Sequence, residues 1–98
     1  MFEIRFAEGA LEDLDAVPRF QRGRLLTAIE RQLSTVPTAA SRNRKELAGL
    51  IPPWDQVRPV WELRVGEYRV FYDVDGGANV VIVQAIRRKG RKTTKDIL

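Results

Sequence analysis

The 98-residue chain contains no cysteine and no histidine. Without thiols there is neither a disulfide framework nor a thiolate metal site, and without imidazoles the common zinc and copper sites are excluded as well. Nucleophilic triads that depend on a Cys or on a His base go with them. Long hydrophobic runs are also missing. No apolar stretch reaches the roughly 20 residues needed to cross a bilayer, and Met1-Phe2-Glu3-Ile4-Arg5-Phe6 has no apolar signal core. The expectation is a cytoplasmic protein that touches no membrane, holds no metal and needs no cofactor. What is present is positive charge, unevenly placed: residues 1–34 carry five basic and six acidic side chains, residues 35–98 twelve basic and seven acidic. The net charge is +4, and the positive field belongs to the later part of the chain. Such a field suits nucleic-acid phosphates or an acidic protein partner, and equally a basic protein that is merely soluble. With 44% hydrophobic and 31% charged residues, the length fits one compact domain spanning 1–98.

Periodicity divides the chain. Phe2-Glu3-Ile4-Arg5-Phe6 alternates with period two, as a half-buried strand does. After a turn over 7–9, Ala10, Leu11, Leu14 and Val17 fall at helical spacing, and Pro18 ends that helix because proline disfavours helical geometry in the residue before it. Leu25, Ile29, Leu33 and Val36 then mark a second amphipathic helix. The two form a hairpin whose apolar stripes need a sheet to cover.

Residues 37–60 break the pattern with Pro37, Pro52, Pro53 and Pro59, and read as a long connection with a helical turn or short strand near Lys45 to Leu47. Ser41-Arg42-Asn43-Arg44-Lys45 sets three cations within four residues, and Trp54 is expected to pack beneath this loop rather than to stack on a base. The sheet resumes at Val60. Trp61, Leu63 and Val65 share one face and Glu62 and Arg64 the other; Gly66-Glu67 turns the chain, and Tyr68, Val70, Tyr72 and Val74 alternate with Arg69, Phe71 and Asp73. After a second turn over 75–79, residues 80–86 are apolar except for Gln84, as an interior strand is, and end in Arg87-Arg88-Lys89-Gly90-Arg91-Lys92. Helices are expected over the Trp61, Leu63, Val70 and Tyr72 face. Glu62, Arg64, Arg69 and Gln84 are expected on an open face.

The order strand, helical hairpin, basic loop, Leu63-Arg64-Val65-Gly66-Glu67-Tyr68-Arg69-Val70-Phe71-Tyr72 and a Val-rich strand with a cationic end is similar to the RelE/ParE superfamily of bacterial toxins from type II toxin–antitoxin modules. The similarity covers essentially the whole chain, and Trp61-Glu62-Leu63-Arg64 also resembles its HigB-like branch. It implies an α+β fold in which a small, mainly antiparallel sheet, made of the N-terminal strand and a C-terminal three-stranded meander, packs on the helical hairpin. It implies an acidic antitoxin as partner. The superfamily contains ribosome-dependent messenger-RNA endonucleases (mRNA interferases) and DNA gyrase poisons, so ribosome with messenger and gyrase are the alternative targets. A third reading is a toxin fold without toxicity that acts only in an antitoxin complex repressing its own operon.

For the nuclease, the resemblance implies metal-independent attack of a ribose 2′-hydroxyl on the adjacent phosphate. Arg69 matches the superfamily's sheet arginine and is assigned to stabilise the developing charge. Glu62 is the candidate base and Lys45 a replacement cation for lysines that this chain lacks before the turn. Arg42, Arg44, Arg64, Arg87, Arg88, Lys89, Arg91 and Lys92 are assigned to bind RNA or phosphate. Plainer readings stand beside these: Arg69 paired with Asp73, Glu62 paired with Arg64, and the late cations as a solvated tail. The chain also departs from the superfamily's nucleases, which carry a tyrosine or histidine beyond the cationic cluster. Here that segment reads Lys92-Thr93-Thr94-Lys95-Asp96-Ile97-Leu98, where Thr93 and Asp96 suggest a capped terminal turn.

Overall fold

A computed structural model of the chain describes residues 1–47, 49, 52–54, 59–90 and 94–97. The element order is β1 (Glu3–Phe6), α1 (Glu8–Ala16), α2 (Arg19–Leu33), β2 (Arg44–Leu47), β3 (Val60–Val65), β4 (Tyr68–Asp75), β5 (Val80–Arg88) and α3 (Thr94–Ile97). The strands form one sheet in the order β1-β5-β4-β3-β2, with β1 parallel to β5 and the other neighbours antiparallel. This is the expected α+β arrangement. The segment near Lys45 resolves as a strand that adds an edge beside β3.

The hairpin forms where the periodicity predicts it. α1 stops because Val17, which precedes Pro18, takes extended angles (φ −73°, ψ 132°). The carbonyls of Asp15 and Val17 at this end accept hydrogen bonds from Arg22 Nη2, each at 3.1 Å. Ala10 and Val17 of the first helical segment and Leu25, Ile29 and Leu33 of α2 are buried against Trp61, Leu63, Val70, Tyr72, Val81, Val83 and Ile86. Each fully buried aliphatic side chain contributes about 1.5–3 kcal/mol relative to exposure. Two expected members fall outside this core: Leu11 is 49% exposed, and Val36 is 50% exposed because α2 ends at Leu33. The Tyr72 hydroxyl donates to the Pro37 carbonyl at 2.6 Å, and that of Tyr68 to Gln21 Oε1 at 2.8 Å, tying helices and following loop to the sheet.

The second face of the sheet is not open, contrary to the alternation argument. Val60, Phe71 and Ala85 lie beneath Ile97 of α3, with Leu47 and Trp54 packed alongside. Trp54 sits 6.0 Å from Phe71 between ring centroids, in the packing role expected of it. Period-two alternation assigned Glu62, Arg64 and Arg69 to this face, but it carries no information about a cover contributed by the connection and by the end of the chain. The pairing of β4 with β5 shifts register between Phe71 and Tyr72, whose partners are Ala85 and Val83. Gln84 is the extra residue, and the irregularity lets its amide donate to Asp73 Oδ2 at 3.3 Å.

Candidate nucleic-acid interface

The polar end of the second face is built by register. Arg64 of β3 stands opposite Arg69 of β4, which stands opposite Arg87 of β5. One step along, Lys45, Glu62, Phe71 and Ala85 form the next row across β2 to β5. The turn before β2 closes this end. Ser41 Oγ accepts from the amides of Asn43 (3.3 Å) and Arg44 (3.2 Å), and the Arg64 amide donates to the Asn43 carbonyl at 2.7 Å. That fixes Arg42 and Asn43 as an exposed tip beside the arginine row. The result is a polar cleft of about 140 Å³ lined by Ser41, Arg42, Asn43, Arg44, Lys45, Glu62, Arg64, Arg69 and Lys89.

Seven of the residues singled out from the sequence therefore meet in one place: Arg42, Arg44, Lys45, Glu62, Arg64, Arg69 and Lys89. Their states differ. Arg69 is only 9% exposed, and its Nη1 donates to the carbonyls of Gly66 and Tyr68, both at 2.9 Å. Burial and the neighbouring Arg64 lower its pKa from the usual arginine value, while Glu62 opposes them. A guanidinium remains charged under such a shift, so the cleft holds a partly desolvated cation beside a like charge. Like charges directly opposite one another on a sheet are destabilising, and an anion placed between them removes the conflict. Glu62 is buried at 4% exposure, accepts from Thr94 Oγ1 at 2.7 Å and lies 3.6 Å from Lys45 Nζ. Its plainer pairing is thus with Lys45 and Thr94 rather than with Arg64.

Other expected phosphate ligands are engaged elsewhere. Arg44 lines the cleft, but its guanidinium donates to the carbonyls of Ala39 (3.0 Å) and Gln32 (3.1 Å) and to Gln32 Oε1 at 2.5 Å, so it anchors the loop to the end of α2. Arg87, third in the arginine row, pairs with Asp13 and donates through Nε to the Ile97 carbonyl at 3.1 Å. Arg88 pairs with Glu67 at 3.0 Å on the exposed hairpin end. Arg91 and Lys92 lie outside the described residues, as does Thr93 of the expected terminal cap. The contributions of Thr94, Ser41 and Asn43 have no motif in the sequence. Among the described residues no cluster of three or more His, Cys, Asp or Glu is placed to hold a metal ion, and no helix is long and apolar enough to cross a membrane.

Comparison with known proteins places the chain. A family model described as the ParE toxin of the type II toxin–antitoxin system parDE matches residues 4–93. A comparison with curated proteins finds no match. Among solved structures, the chain resembles one in the archaeal RelE–RelB complex from Pyrococcus horikoshii OT3, with TM-score 0.70 at 20% identity, covering 92% of this chain and 97% of that one. A chain of the toxin–antitoxin complex RelBE2 from Mycobacterium tuberculosis gives 0.68 at 22%, covering 87% and 94%. The isolated RelE toxin of E. coli gives 0.68 at 19%, covering 98% and 93%. At these identities the structural likeness establishes the fold.

Proposed function

Because the chain belongs to the ParE toxin family, within the RelE/ParE toxins of type II toxin–antitoxin systems, we propose that it acts on RNA phosphates at the cationic cleft, as a metal-independent endoribonuclease that cuts messenger on the ribosome. The observation that carries this reading is the meeting of Arg64, Arg69, Lys45 and Lys89 with the carboxylate of Glu62 around a cleft of about 140 Å³. Cations alone bind a backbone; a carboxylate among them adds a proton acceptor. In the proposed step Glu62 takes the proton of a ribose 2′-hydroxyl as its oxygen bonds to the adjacent phosphorus. The bond from phosphorus to the 5′ oxygen breaks, and that oxygen takes a proton from an ammonium of the cleft, Lys45 or Lys89. The products are a 2′,3′-cyclic phosphate and a 5′-hydroxyl. Arg69 and Arg64 offset the charge that grows on the non-bridging oxygens.

The test is end-group chemistry. RNA cleaved by the wild type on translating ribosomes is expected to carry those two ends, and Glu62→Gln, which keeps the side chain's shape, is expected to lower the rate at least ~100-fold. Cleavage by Glu62→Gln at the wild-type rate contradicts the role given to Glu62.

The second reading, a poison of DNA gyrase that needs no cleavage chemistry, is favoured by the match to the ParE family model and by the engagement of both Glu62 oxygens. Gyrase-linked DNA breaks without RNA ends would establish it. Under either reading the partner is an acidic antitoxin. The RelE chains of similar fold are found in complexes with RelB antitoxins, and a segment that folds on binding would neutralise the basic cleft. Failure of an acidic candidate antitoxin to co-purify with this chain would count against that partner.

A further inference from the structure

The C-terminal turn contacts the carboxylate of the cleft. Thr94 Oγ1 donates to Glu62 Oε2 at 2.7 Å, whereas Lys45, 60% exposed, approaches Oε1 at 3.6 Å. The two carboxylate oxygens therefore differ: one is held from the turn, and the other lies on the side of the cleft lysine. The turn itself is anchored twice. Ile97, at 8% exposure, covers Val60, Phe71 and Ala85, and the Arg87 Nε donates to the Ile97 carbonyl at 3.1 Å. A carboxylate at the end of a glutamate side chain rotates broadly about its terminal torsion unless a partner fixes it.

From this we infer that Thr94 is a positioning residue: it holds Oε2 so that Oε1 is the oxygen presented to substrate, and α3 is the support that keeps Thr94 there. The inference rests on the nuclease reading. It also gives Arg87 a role distinct from phosphate binding, since this arginine secures the turn.

Thr94→Val keeps the shape of the side chain and removes the donor, and Thr94→Ser keeps the donor and removes a methyl. In ribosome-dependent RNA cleavage, Thr94→Val is expected to lower kcat by about 10- to 100-fold with KM unchanged within about twofold, and Thr94→Ser to recover most of kcat. Wild-type melting temperatures in both variants exclude a folding defect. The ¹³C resonance of the Glu62 carboxylate, which requires no turnover, is expected to move in Thr94→Val and to return in Thr94→Ser. Undiminished cleavage by Thr94→Val, or an unmoved resonance, overturns the inference alone. RNA left intact by the wild type removes the nuclease reading and this inference with it.

Discussion

Arg64 and Arg69 oppose each other across two strands, and Arg69 is nearly buried. The repulsion of this pair costs stability beside the bonds that Arg69 makes to the Gly66 and Tyr68 carbonyls, and an anion between the two guanidiniums relieves it, which is the residue-scale argument for an anionic ligand. Alternation within β3 and β4 put Glu62 and Arg69 on one face, whereas Lys45 was read as part of the basic loop and joins them only through the pairing of β2 with β3. Thr94 was not, because its contact with Glu62 spans 32 positions and depends on where the end of the chain settles. Tyr72 makes a separate residue-scale prediction. Burial raises its phenol pKa above the ordinary 10, outweighing the opposing effect of Arg44. The folded state thus keeps a proton that the unfolded chain gives up, so this contribution to stability is complete below about pH 10 and is lost as the pH rises further. In urea titrations, Tyr72→Phe is expected to cost about 0.5–1.5 kcal/mol at pH 7, through the lost bond to the Pro37 carbonyl, and to show a shallower alkaline decline than the wild type. An equal decline in both proteins would contradict the role given to the phenol.

At the scale of elements, the hairpin and meander follow from periods of 3.6 and two together with Pro18 and Gly66. The cover on the second face does not, because a half-polar strand looks the same under solvent, a loop or a terminal turn. A comparable gap concerns the edge of β5. Beyond the reach of β1, the Ile86 amide donates to Asp13 Oδ2 of α1 at 2.9 Å, and Arg87 pairs with the same carboxylate. A helix side chain here takes the place of a strand. Asp13→Ala leaves the amide without that acceptor and the arginine without its carboxylate, and is expected to destabilise the fold by about 1–3 kcal/mol in urea unfolding. The double variant with Arg87→Ala is expected to fall short of the sum of the two singles, because both changes break one pair. Strict additivity would show that the pair contributes nothing.

At the scale of the molecule, charge and topology coincide. The acidic side chains of α1 lie on the helical layer, while the turn before β2, β2, β3, β4 and Lys89 just after β5 carry the cations that line the cleft. The fold is held in common with RelE chains at about 20% identity, so most side chains can change without changing it. The ends of individual side chains then decide what the cleft does. Arg69 is the residue on which that decision rests most heavily, and its removal is the most direct test. With messenger 5′ ends mapped on translating ribosomes, the wild type is expected to give cuts in phase with codons, and Arg69→Ala to reduce them at least ~100-fold while remaining folded by circular dichroism at the assay temperature. Undiminished cuts in Arg69→Ala, or gyrase-linked DNA breaks from a wild type that leaves messenger intact, would contradict the account.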